Sequence, residues 1–159
     1  MKKIVFFMLV GGFIFFITGI ACAQSEEEYT ILEKVNRERM VRNLRPLSWD
    51  GQLAKIARKY SKEMARTGNF SHYDNNGNSV IERVNEGGFT GWRRIGENLF
   101  FAVDISGSDL AVFAVEGWMR SSSHRKNILL SEWRLTGIGV FKAKGRVYVT
   151  QIFADRGRY

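Results

Sequence analysis

Cysteine is almost missing from this chain of 159 residues: Cys22 is the only one. A disulfide-stapled scaffold is therefore excluded, and at this length a hydrophobic core can hold a single domain without one. Proline is equally scarce, and Pro46 sets the end of a first helix near Leu44, because the residues before a proline leave the helical region. Neither G-x-S-x-G nor H-E-x-x-H occurs, so the sequence carries no nucleophile elbow and no helical zinc motif. Repeats and low-complexity segments are absent as well. Histidine is limited to His72 and His124, which narrows where imidazole chemistry could reside.

The N-terminus opens Met-Lys-Lys and continues through an apolar run from Ile4 to Ala21, interrupted by Thr18 and by glycines at 11, 12 and 19. Ala21 and Ala23 then stand in the A-x-A arrangement that signal peptidase reads, so residues 1–23 are expected to be a signal peptide cleaved before Gln24. Two rivals stand beside that reading. The run approaches the roughly 17 to 25 residues of a bilayer span, which would leave an uncleaved anchor, and Cys22 could be acylated, although Gly19 and Ile20 make a poor lipobox. Export follows in every case.

Charge is lopsided, with 24 Lys and Arg against 16 Asp and Glu, a formal +8. A basic exported protein meets anionic surfaces such as cell-wall polymers or lipid headgroups. The arginines are scattered and lack the aromatic interleaving of a single-strand binder, so no nucleic-acid partner is expected. The expected partner is a component of the cell envelope or the extracellular space, with a membrane involved only if the N-terminal segment is retained.

Periodicity places the elements. Tyr29, Leu32 and Val35 suit a first helix, and Leu53, Ala57, Tyr60 and Met64 form one stripe of a second, capped by Asp50 and closed by Gly68. "SVIERVNEGG" predicts a short helix, "RRIGENLFFAV" a strand, and "DLAVFAVEGWMR" a helix that is apolar nearly all round. "LTGIGVFKAKGRVYVTQIFA" predicts two strands joined at Lys144-Gly145. Helices flanking such strands make an α+β chain, a layered sandwich around an antiparallel sheet.

Glu116 falls among Val112, Phe113 and Met119 on that apolar helix, which predicts a buried carboxylate in need of a donor. His124 follows eight residues later, and an unbroken helix would carry it about 12 Å further along the axis. Ser121, Ser122 and Ser123 are expected to break the helix and cap the next one, "HRKNIL", in preference to acting as nucleophiles, because residues adjacent in sequence rarely align a hydroxyl with an imidazole. His72, in "NFSHYD", occupies a second junction between elements. Asn98 and Asn127 are expected to bond backbone at bends, and Trp49 and Trp118 to lie in the core. Trp92 and Trp133, beside Arg93, Arg94 and Arg134, are better placed for an exposed edge.

Taken in order, "LRPLSWDGQLAKIARKYSKEMA", "FSH", "GEN", "EGWMRSSSHRKNIL", "GIGV" and "QIF" resemble the CAP superfamily of cysteine-rich secretory, antigen 5 and pathogenesis-related proteins, in its minimal bacterial exported form. The resemblance runs from about Ile31 to Ala154. It implies a three-layer α-β-α sandwich over residues 24–159 and a cleft of two histidines and two glutamates, mapping onto His72, Glu97, Glu116 and His124. Such a set implies a site for Zn²⁺ or another divalent ion, with Glu97 or Glu116 as a base if the protein is a hydrolase. Relatives often carry Pro-Gly where this chain has Ser122-Ser123. The fold itself does not fix a function, and three classes follow: a cell-surface recognition module, which leads because no nucleophile or oxyanion hole is legible, a metal-dependent hydrolase, and a lipid or sterol carrier.

Overall fold

A computed structural model describes residues 24–156 apart from Ser106. The proposed signal peptide or anchor and Cys22 lie outside the described residues. Helix α1 (Glu26–Met40) starts with a capping box in which Ser25 and Glu28 satisfy each other's backbone N–H groups. Strand β1 (Ser48–Trp49) follows, then α2 (Gly51–Thr67), whose Asp50 side chain accepts from the N–H groups of Gln52 and Leu53 and whose C-terminus closes on left-handed Gly68. The remaining elements are α3 (Val80–Glu86), β2 (Trp92–Val103), α4 (Gly107–Arg120), α5 (Ser122–Leu129), β3 (Leu135–Ala143) and β4 (Arg146–Arg156).

The sheet runs β1-β3-β4-β2, antiparallel except for the short parallel β1–β3 pair, which the sequence reading did not anticipate. Strand β4 is buried along nearly its whole length, and its side chains divide by parity between two helical layers. Val147, Val149 and Phe153 join α1, α4 and α5, whereas Ile152 and Ala154 join α2 and α3 and Tyr148 packs with Tyr60 and Met64 of α2. The α-β-α sandwich is therefore built around a two-faced central strand. Helix α2 lies almost on the backbone of β3: a Cβ on Gly137 would stand 2.1 Å from the Ala54 nitrogen, and one on Gly139 2.1 Å from that of Arg58.

Two buried charges tie the layers together. Glu28 accepts from Arg58 Nε at 2.7 Å and Nη2 at 2.5 Å and from the Val140 N–H at 3.2 Å, joining α1, α2 and β3. Arg39, fully buried, donates to the carbonyls of Arg45, Ile128 and Leu130 and so fixes the end of α5. Each satisfies backbone or carboxylate groups that would otherwise be buried unpaired.

Candidate functional site

Strand β2 is an edge strand, and alternation along it sends Glu97 toward the α2/α3 layer and Asn98 toward α5. The two histidines arrive from the two different layers. His72 sits in the loop between α2 and α3, held by three hydrogen bonds from two donors: Tyr60 Oη donates to the Ser71 carbonyl at 2.5 Å, and Arg83 Nη1 donates to the carbonyls of His72 at 3.1 Å and Asn78 at 2.8 Å. Asp74 closes the following turn by accepting from the N–H groups of Asn76 and Asn78. These hydrogen bonds hold its carboxyl below the usual range, although burial pushes the other way.

His124 lies in the first turn of α5. Asn98 Nδ2 donates to the His124 carbonyl at 3.1 Å, Asn127 Nδ2 donates to the Glu97 carbonyl at 2.9 Å and to Asn98 Oδ1 at 3.0 Å, and Trp133 Nε1 donates to the Asn127 carbonyl. "GEN" is legible in these terms. A Cβ on Gly96 would meet Trp133 at 2.9 Å, Glu97 serves the His72 side, and Asn98 clamps α5. The two imidazoles thus meet across the edge of β2, their centroids 6.4 Å apart and their planes tilted by 47°.

Beneath them Glu97 is engaged on both oxygens. Oε1 lies 2.8 Å from His72 Nδ1, and Oε2 accepts from Arg83 Nη2 at 2.5 Å, with the Glu97 side chain 3% and that of Arg83 7% exposed. Arg83 also stacks on Tyr60, its guanidinium carbon 3.5 Å from the ring centroid. A carboxylate paired with arginine is an acceptor only, so the proton between Glu97 and His72 belongs to Nδ1, which leaves Nε2 as the outward-facing acceptor. His72 is half exposed. His124 is more sheltered, and burial, followed by the neighbouring His72, holds its pKa below 6.5 and favours the neutral ring.

Glu116 is not part of this group. It is exposed, 58% by side chain, and pairs with Arg120, one turn on, at 3.3 Å. The expected buried carboxylate is thereby corrected: α4 buries Leu110, Ala111, Ala114, Val115 and Trp118, while Phe113 and Glu116 face outward. The serines do break the helix, with Ser121 as the N-cap residue of α5, but its hydroxyl faces Ser123 Oγ at 3.2 Å and caps no backbone N–H. Trp133, expected at an exposed edge, is 3% exposed and stacks on Phe153. Arg83 was missed altogether.

The implied divalent ion fits this donor set poorly. Among the described residues no group of three or more His, Cys, Asp or Glu is placed to hold one. Glu116 points to solvent, and both Glu97 oxygens already have partners. Two imidazoles alone fall short of the three or four protein ligands that zinc takes.

Residues 32–153 match the CAP, cysteine-rich secretory protein, family model, about three-quarters of the chain. The chain belongs to the CAP family. This CAP domain is 34% identical over 84% of its length to an uncharacterized membrane protein, YlbC, and 29% identical over 84% to an uncharacterized protein, YkwD, both of Bacillus subtilis, covering 36% and 49% of those proteins. Among solved structures it is similar to an extracellular protein of Bacillus anthracis that contains an SCP domain, with a TM-score of 0.71 and 32% identity over 82% of this chain and 40% of that one. The chain spans less than half the length of each of these relatives.

Proposed function

We propose that this CAP domain is an exported recognition module that presents its paired imidazoles to a ligand at the cell surface. One observation carries the reading: Glu97 is bound on both oxygens, so the site offers His72 Nε2 and the neutral His124 ring as hydrogen-bonding groups, without a free carboxylate base or an aligned hydroxyl. An SCP-domain relative described as extracellular supports export, and the basic net charge suits an anionic envelope. Rigid mounting suits recognition too, because the backbone at both histidines is held by part-buried hydrogen bonds and the His72 ring by Glu97, so less freedom is lost when a ligand binds.

The test is equilibrium binding of fluorescently labelled protein to isolated cell envelopes, wild type against His72→Ala/His124→Ala. A saturable component of that binding which the double variant loses supports the proposal, whatever charge-driven binding remains in both proteins. Linear, unsaturable uptake, or equal binding by both proteins, removes it.

The His72–Glu97 pair favours a second reading, a hydrolase in which His72 Nε2 is the general base. Activity against ester or peptide substrates that disappears in His72→Ala and persists in Glu116→Gln would select it.

A further inference from the structure

A second surface carries its own signal. Near the C-terminal end of α2, Lys62 and Arg66 lie one helical turn apart, and the β3–β4 turn brings Lys144 and Arg146 to the same place; all four line a groove of about 770 Å³ with the half-buried Phe141. Each of the four is exposed, and none takes part in an ion pair among the described residues. No carboxylate lines the groove. Asp104 meets the turn through its own N–H, 2.7 Å from the Gly145 carbonyl, and lines a neighbouring depression with Lys144 and Arg146. Lys144 also holds φ +52°, ahead of Gly145 at +73°, in a two-residue turn where asparagine or glycine would sit with less strain. The Asp104 carboxylate, with Oδ1 beside Gly145, offsets only part of this charge; the four cations still repel one another on balance, and an anion in the groove relieves that repulsion.

We infer that this groove binds a linear, phosphodiester-linked polyanion of the cell envelope. The chemistry selects among anions. Ammonium and guanidinium groups are donors only and match a ligand that is all acceptor. Thr67, the one side-chain acceptor lining the groove, donates its hydroxyl proton to the Glu63 carbonyl at 2.9 Å and already accepts from the Asn69 N–H at 3.3 Å, so a hydroxyl-rich uronate chain would go poorly satisfied. A concave site fits a strand better than a flat bilayer, and its apolar members, Ala65, Ala143 and Phe141, are too sheltered to insert into one. A single-stranded nucleic acid would want several exposed aromatic faces, and the groove has one half-buried ring. The inference stands apart from the imidazole site, so His72→Ala/His124→Ala should bind this polymer as wild type does.

The experiment is fluorescence-anisotropy binding of a labelled synthetic glycerol-phosphate oligomer to the full chain. A groove variant (Lys62→Gln, Arg66→Gln, Lys144→Gln, Arg146→Gln) is compared with a charge-matched control altered outside the groove (Arg37→Gln, Arg45→Gln, Lys55→Gln, Arg93→Gln). The expected result is a loss of roughly ten-fold or more for the groove variant alone, with the slope of log K against log salt shallower by about 0.7 per cation removed, as for single-stranded polyanions. Equal losses in both variants would reduce the effect to diffuse net charge. Tighter binding to an oligogalacturonate of equal charge, to single-stranded DNA or to phosphatidylglycerol vesicles would overturn the choice of partner, and no binding to the oligomer would overturn the site.

Discussion

Replacing Arg83 with methionine should unfold the site from below. The guanidinium neutralises Glu97 at 2.5 Å, donates to two loop carbonyls and stacks on Tyr60, all at 7% side-chain exposure. Methionine fills similar volume beside Tyr60, so the main loss is a buried carboxylate left without its partner, which costs about 3 to 5 kcal/mol. For a domain of this size each kcal/mol moves the melting temperature by about 3 °C, a fall of roughly 10 to 15 °C. Urea unfolding followed by tryptophan fluorescence at neutral pH measures the change, with calorimetry alongside. Arg83→Met/Glu97→Leu should recover part of the loss, because no uncompensated charge then remains. A single-variant loss below about 1 kcal/mol, or a double variant whose losses simply add, would refute the buried-pair reasoning.

Gly139→Ala should be among the most damaging small substitutions, since its Cβ would lie 2.1 Å from the Arg58 nitrogen and only a shift of α2 relieves it; a loss of about 3 kcal/mol or more by urea unfolding is expected. His124 has a folded pKa below 6.5, so below that pH the unfolded chain takes up the proton first and stability falls as pH drops toward the folded value; His124→Gln should flatten that part of the stability curve. The Tyr60 phenol is pushed up to about 12, chiefly by burial, so the unfolded chain loses this proton first and stability declines as pH rises from 10 toward 12. In an ultraviolet titration of the folded protein, Tyr60→Phe should remove one late-titrating phenol.

Much of the sandwich was legible because its signals are local. The α2 stripe, the Asp50 cap, Gly68 and the Lys144-Gly145 turn each report on neighbours a few residues away. The β1–β3 pair was not, since Ser48 and Trp49 find their partners across the sequence at Leu135 and Thr136. The site divides in the same way. Asn98 and Asn127 do bond backbone, but across the α5–β2 junction, which no local pattern shows. Glu116 was misplaced because a helix apolar nearly all round gives no phase, and Phe113, counted as core, is 48% exposed. A signal for Arg83 did exist: on α3 it shares a face with Val80 and Val84, and an arginine on an apolar stripe implies a buried partner. That partner, Glu97, lies on β2, where sequence alone could not place it.

The most direct test of the site is the tautomer of His72, read from long-range proton–nitrogen correlations of the two imidazoles at mildly alkaline pH. With Glu97 held as a carboxylate by Arg83, the account predicts the proton on His72 Nδ1 and a bare Nε2 facing outward. A proton on Nε2, with Nδ1 bare beside Glu97, would contradict it, because a carboxylate cannot donate to that nitrogen and the site would have to be organised some other way.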